Sequence, residues 1–133
     1  MQTAILDGEI VCLDGKGVSQ FNQLLSWKGE PAFYAFDLLW LDGEDLRQKP
    51  LIERKKRLAR LVRAARCSRL LYAQHIEQPG KGFFVEICAR DLEGIVAKRK
   101  FGIYKDDGNS WLKVKNPTYS QAEGRHELLT RGR

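Results

Sequence analysis

Ala32-Phe33-Tyr34-Ala35-Phe36-Asp37-Leu38-Leu39-Trp40-Leu41 is the most apolar run in the chain, with a single charge near its centre. It is bounded by Gly29-Glu30-Pro31 on one side and Asp42-Gly43 on the other, both turn signals. A run of this length and character reads as a central buried strand. Toward the N-terminus, Ala4 to Leu13 (AILDGEIVCL) is a second strand, followed by the turn Asp14-Gly15-Lys16-Gly17. Between the two, Ser19 reads as the N-cap of a short helix through Trp27, with Phe21, Leu24 and Leu25 on one face. Toward the C-terminus, Leu51 to Ala65 is an amphipathic helix. Leu51, Leu58, Leu61, Val62 and Ala65 line one side, and Pro50 suits its first turn. Leu70 to Ile76 reads as a strand, Pro79-Gly80-Lys81-Gly82 as a turn, and Phe83 to Arg90 as a helix with Phe84, Ile87 and Cys88 inward. Gly94 to Arg99 and Ser110 to Asn116 are the last two strands, the second ended by Pro117. Alternation puts Trp111, Lys113 and Lys115 on one face of that strand and Leu112 and Val114 on the other. The whole is an α+β chain, a largely antiparallel sheet with packed helices.

With 133 residues the chain is about one domain, long enough for a real core. Lys and Arg total 23 against 17 Asp and Glu, a net charge of +6 with a pI near 9.4. That balance favours an acidic partner, with nucleic acid first among them. No apolar run is long enough to cross a membrane. The segment Met1 to Asp7 has neither the basic nor the apolar region of a secretory signal. Cys12, Cys67 and Cys88 are an odd count with no C-x-x-C pair, and read as reduced, half-buried packing residues of a cytoplasmic protein.

Three stretches place charge inside otherwise apolar strands, which is costly unless the charge is paired or does chemistry. They are Asp7-Gly8-Glu9, Asp37, and Glu93 with Lys98 and Arg99, the last followed by Lys113 and Lys115. Carboxylates and lysines converging on one sheet would suit a divalent metal and a phosphate. The competing reading is that each charge sits at a strand end, solvated or in a structural ion pair.

Taken in order, these stretches resemble the motifs of the ATP-dependent DNA ligases, within their nucleotidyltransferase domain. Asp7-Gly8-Glu9-Ile10-Val11 resembles the third motif. Phe33-Tyr34-Ala35-Phe36-Asp37-Leu38-Leu39 resembles the motif that follows it, Glu93-Gly94-Ile95-Val96-Ala97-Lys98-Arg99 the fourth, and Trp111-Leu112-Lys113-Val114-Lys115 the fifth. The resemblance runs from about Ala4 to about Asn116 and is nearest to the bacterial end-joining ligases. It implies a partial nucleotidyltransferase (ATP-grasp-like ligase) core over residues 1–117, with 118–133 a polar tail. It also implies that Phe36 stacks on adenine, that Glu9 and Glu93 bind nucleotide and Mg²⁺, and that Lys113 and Lys115, assisted by Lys98, contact the α-phosphate of ATP or AMP. In that family a lysine attacks ATP, AMP passes to a DNA 5′-phosphate, and a 3′-hydroxyl displaces it. The implied partner is nicked or broken double-stranded DNA.

The family's nucleophile lies in a K-x-D-G motif upstream of D-G-E, and only six residues precede Asp7 here. The family's C-terminal oligonucleotide-binding domain is also not found. Lys105-Asp106-Asp107-Gly108 matches K-x-D-G literally, but it falls between the fourth and fifth motifs and its composition suits a turn. The expectation is therefore a ligase-like chain with no catalytic lysine of its own. It would be a split-ligase subunit completed by a partner chain, a non-catalytic nucleotide- or DNA-binding module, or a decayed fragment.

The stretch Ile52 to Arg69 carries Arg54, Lys55, Lys56, Arg57, Arg60, Arg63, Arg66 and Arg69 against Glu53 alone. It reads as a solvated helix face ahead of a phosphate-contacting stripe. His75 reads as a core or rim residue and His126 as solvent-facing; Trp27, Trp40 and Trp111 read as core.

Overall fold

The computed structural model describes residues 3–20, 23–24, 26, 28–77, 80–107 and 110–121. Its elements are β1 (Ala4–Cys12), β2 (Pro31–Leu41), β3 (Glu44–Asp45), α1 (Leu51–Ala65), β4 (Leu70–Tyr72), α2 (Gly80–Ala89), β5 (Gly94–Lys98) and β6 (Trp111–Lys115). Two compact units result, Met1–Ile76 with Lys98–Ser110, and Glu77–Ala97 with Trp111–Arg133.

The first unit is a four-stranded sheet centred on β2. β2 pairs antiparallel with β1 and β3 and parallel with β4. The hairpin between β2 and β3 turns on Asp42 (φ 47°) and Gly43 (φ 93°), the two positive-φ positions that a two-residue turn matching the strand twist requires. The β1–β2 register slips twice. Gly8 faces Ala35 while Asp7 faces Asp37, which leaves Phe36 as an extra residue; Leu6 faces Leu38 while Ile5 faces Trp40, which leaves Leu39 as another. Each bulge shifts the alternation by one. The inward set on β2 is consequently Phe33, Ala35, Leu38 and Leu41, not the strict i, i+2 series. Ala35 and Leu38 join Leu46 and Leu58 in the fully buried core, with Phe33, Leu41, Leu6, Leu61, Val62, Leu70 and Tyr72 around it.

α1 covers that core with the apolar stripe its sequence predicts, except that Ala65 is exposed. Its N-terminus carries no side-chain cap. Instead the Leu51 and Ile52 N–H groups donate to the carbonyls of Gly102 (2.9 Å) and Lys100 (3.0 Å). Backbone from the segment after β5 thus satisfies two of the orphan donors of a helix start.

The second unit holds α2, β6 and β5 as far as Ala97; Lys98, the last residue of β5, falls in the first unit. α2 begins at Gly80, so Gly80-Lys81-Gly82, expected in a turn, forms its first turn; Ile87 is its buried residue. The Phe84–Ile87–Cys88 face carries the helical period back across these glycines. Asn116, 5% exposed, ends β6: its N–H donates to the Glu93 carbonyl (2.7 Å) and its Nδ2 to the Leu92 carbonyl (2.9 Å).

The α+β expectation holds, with antiparallel pairing dominant. Other expectations are corrected. Ser19 bridges to Leu13 instead of capping a helix; Gln23 and Leu24 are helical, while Phe21, Asn22, Leu25 and Trp27 of the expected helix lie outside the described residues. The strand expected over Leu70 to Ile76 stops at Tyr72, where its pairing with β2 ends, and His75 is exposed beside the Tyr72 hydroxyl. Cys67 is exposed, not half-buried, because it follows the helix end; Cys12 is buried and Cys88 intermediate. His126 and the Trp27 side chain lie outside the described residues.

Candidate functional site: two motif clusters and a buried ion pair

In the first unit, residues distant in sequence gather around the bulge in β2. The Lys98 ammonium stands over the Phe36 ring, 4.5 Å from its centroid. Burial lowers the Lys98 pKa, and the carboxylates of Asp37 and Asp7 pull against that shift. Phe36 is one of the two residues that the register shifts skip, and bulges commonly re-aim a side chain beside a functional site. Glu9 faces Tyr34, one position from the Gly8–Ala35 pair, so it lies on the face of the sheet opposite α1; it is exposed.

Gly8 is fixed by close approach. A Cβ there would lie 2.6 Å from Cζ of Phe33 and overlap the Tyr34 carbonyl oxygen. The glycine of Asp7-Gly8-Glu9 lets β1 pass over β2, and its neighbours carry the polar groups. Asp7 accepts a hydrogen bond from the Tyr104 hydroxyl (2.8 Å). Burial first, and then Asp7, push the Tyr104 pKa up to about 12.

Asp37 is fully buried and is bound by Arg54, itself 2% exposed. The guanidinium Nε donates to Oδ1 (2.7 Å) and Nη2 to Oδ2 (2.9 Å), a two-point fork. Arg54 Nη1 also donates to the Lys49 carbonyl (2.6 Å) and to that of Gly102 (3.1 Å), and the Leu38 N–H donates to Asp37 Oδ1 (2.8 Å). The carboxylate inside the central strand is therefore a structural partner, not a metal ligand. Beside it Lys55 donates to the Ala73 carbonyl (2.5 Å) and lies over the Tyr72 ring. Burial, reinforced by the Lys98 charge, lowers the Lys55 pKa to about 8.

Sequence reasoning counted Arg54 and Lys55 as part of a solvated face, and both are buried. A signal was present: they fall at i+3 and i+4 from Leu51, on the same stripe as Leu58, Leu61 and Val62. A basic pair on an apolar stripe calls for a buried acid. Tyr104 and Asn116 were also missed; neither carries a local pattern that announces its partner.

The second unit holds the remaining candidates. Glu93 precedes β5, and Lys113 and Lys115 lie on β6; all three are exposed. Gly94 is again dictated by contact: a Cβ would lie 3.0 Å from the Lys115 Cα and overlap the Val114 carbonyl oxygen. The Glu93-Gly94 pair and the Lys113-Val114-Lys115 strand are thereby locked edge to edge, with Asn116 tying Glu93 to the end of β6. The expectation that all these charges converge on one sheet is corrected. Asp7, Glu9 and Asp37 belong to the four-stranded sheet, while Lys98, Lys113 and Lys115 lie on strands of the two-stranded one. Sequence order alone does not say which strands pair.

Among the described residues no three His, Cys, Asp or Glu side chains gather into a metal cage. Glu9 and Glu93 each offer a single exposed carboxylate. That suits Mg²⁺, which commonly takes one or two carboxylates and completes its shell with water and substrate phosphates. Among the described residues no helix is long and apolar enough to cross a membrane.

The Phe36–Lys98 pair at the β2 bulge, and separately the paired lysines of β6, have the character of a nucleotidyltransferase core. The model of the ATP dependent DNA ligase domain matches residues 1–115, and the chain belongs to that family. The multifunctional non-homologous end joining protein LigD of Pseudomonas aeruginosa is 33% identical over 121 residues, covering 86% of this chain and 14% of that protein. A DNA ligase of Pyrobaculum neutrophilum is 32% identical over 146 residues, covering 97% of this chain and 25% of its own length. Among solved structures, the ligase domain of Mycobacterium tuberculosis LigD aligns with a TM-score of 0.72 at 33% identity, over 86% of this chain and 38% of that one. A mycobacterial DNA ligase D complexed with ATP and MES aligns with a TM-score of 0.73. The chain thus spans a quarter or less of the length of these two curated relatives.

Proposed function

We propose that this chain supplies the nucleotide wall of a DNA-joining adenylation centre, through residues 1–117, and that the attacking lysine comes from outside these 133 residues. The observation that carries the proposal is the meeting of Phe36 and Lys98, two motif residues far apart in sequence, at 4.5 Å. In this reading adenine stacks on Phe36. Lys113 and Lys115, assisted by Lys98, neutralise the α-phosphate of ATP. Glu9 and Glu93 are the carboxylates that would hold Mg²⁺, which when bound offsets charge on the phosphate oxygens.

The chemistry follows from those roles. A lysine amine from outside these residues attacks the α-phosphorus; a P–N bond forms, the bond to pyrophosphate breaks, and the amine gives up a proton. A DNA 5′-phosphate oxygen then displaces the lysine, and a 3′-hydroxyl displaces AMP to close the nick. The setting is end-joining DNA repair in the cytoplasm, on nicked or broken duplex DNA. Two relatives that are LigD proteins or domains support that setting.

The test is incubation of the purified chain with labelled ATP and Mg²⁺, a denaturing gel and peptide mapping, beside AMP titration by calorimetry. The expected result is AMP binding that Phe36→Ala weakens at least tenfold, with no covalent adduct until a polypeptide carrying the family's lysine motif is added. An adduct on any of these 133 residues, Lys105 included, overturns the claim that the nucleophile lies outside them. AMP binding indifferent to Phe36→Ala overturns the stacking role.

A further inference from the structure

We infer that the outer face of α1 is a second, nucleotide-independent contact surface for the phosphate backbone of duplex DNA, formed by Lys56, Arg60, Arg63 and Arg66. All four are exposed. At about 100° per residue, Lys56, Arg60 and Arg63 fall within about 60° of arc, and from Lys56 to Arg66 the row runs for about 15 Å along the axis.

The basic residues of this region divide into two groups. Arg54 and Lys55 are buried in the core. Arg57 is held by Glu44 (2.7 Å) and Glu53 (2.9 Å), Arg47 by Asp45, and Arg69 lies 3.8 Å from Glu30. The side chains of Lys56, Arg60, Arg63 and Arg66 make no ion pair or hydrogen bond among the described residues. Like charges three and four residues apart destabilise a helix. The helix dipole accounts for cations in the last turn, Arg63 and Arg66, and not for Lys56 and Arg60 in the middle. An unneutralised row carrying four positive charges, in a chain of net charge +6, is the arrangement a polyanion would neutralise.

Duplex DNA is the polyanion that fits. Its phosphates recur about every 3.4 Å along one strand, so a 15 Å row can meet several of them. Three of the four side chains are arginines, whose planar fork matches phosphate oxygens. The row also lies on the side of α1 turned away from Leu58 and the sheet core. Ala35 packs in the core with Leu58 of α1, whereas Glu9, paired with the next residue Tyr34, lies on the other side of the sheet. The row uses none of the residues assigned to the nucleotide, so its contact with duplex does not depend on nucleotide binding.

The test measures binding of the full chain to an intact, unnicked 20-base-pair duplex by fluorescence anisotropy, without ATP, between 50 and 200 mM salt. Four phosphate contacts predict a loss of affinity of about 150-fold across that range. Lys56→Gln/Arg60→Gln/Arg63→Gln leaves one contact and predicts a loss of only about 3- to 4-fold. Glutamine is a good helix former, and circular dichroism checks that the helix persists. Lys16→Gln/Lys28→Gln/Lys81→Gln removes the same charge elsewhere and should keep the steep dependence. The inference is overturned if the α1 variant keeps the wild-type dependence, if the control loses as much, or if the wild-type chain does not bind intact duplex. Tighter binding of polyglutamate than of DNA would assign the face to an acidic protein and overturn it equally. None of these readouts uses AMP, so failure here is distinct from failure of the nucleotide reading.

Discussion

Replacing Arg54 by Met tests the claim that a buried ion pair, and not a metal site, occupies the centre of the sheet. Arg54 and Asp37 are 2% and 0% exposed, and two N–H···O bonds of 2.7 and 2.9 Å join them. Methionine keeps the apolar stem and deletes the charge. Asp37 would keep the Leu38 N–H at 2.8 Å and lose its counter-ion, while the Lys49 and Gly102 carbonyls would lose a donor. Removing one partner of such a buried pair costs about 3–5 kcal/mol. A chain of this length has about 7–20 kcal/mol in total, so the loss is a large fraction of it. Urea unfolding followed by tryptophan fluorescence reads it directly. The double variant Asp37→Leu/Arg54→Met removes both charges and should recover most of the deficit, because the penalty lies in the orphaned carboxylate. The Lys49 carbonyl still lacks its Arg54 donor, while the Gly102 carbonyl keeps the Leu51 N–H, so a remainder of about 1–3 kcal/mol should persist. If Arg54→Met costs less than about 1 kcal/mol, or if the double variant is no better than the single, the pairing argument is wrong.

Three further outcomes follow from the same structure. Gly8→Ala and Gly94→Ala each force a methyl against backbone that cannot yield, and should cost about 1–3 kcal/mol in urea unfolding; a neutral result at either would show that the strands can separate freely. Stability should rise from about pH 8 to about 10.5, because Lys55 loses its proton near pH 8 when folded and near 10.5 when unfolded, so the unfolded chain binds more protons in that window. Above pH 10 Tyr104, raised to about 12, acts the other way; Lys55→Met should flatten the rise in urea midpoint, and an unchanged profile in that variant refutes the assignment. Arg66 ends α1 at φ 46°, a left-handed position that favours glycine, so Arg66→Gly should raise stability by about 0.5–1 kcal/mol, read as a higher melting temperature; a lower one would contradict the strain argument.

The sequence by itself determined the element types, because period and punctuation are local. α1 was legible to the residue from its apolar stripe and Pro50, and β2 from its uninterrupted apolar run. The ordered motifs were enough to name the family. Tertiary structure alone decided how the charges were used. Two bulges in β2 reset its alternation and freed Phe36 from the ladder, and a one-residue shift of register leaves no mark in composition. Asp37 looked available for metal until Arg54, seventeen positions later, was seen to reach it. Tyr104 and Asp7 meet across ninety-seven positions. Lys98 and Phe36 meet across sixty-two, and Lys113 and Lys115 lie on a different sheet from Glu9. Local pattern sets which residues can form a strand or a helix; which buried charge meets which is set by the pairing of distant strands, and only the folded chain contains that information.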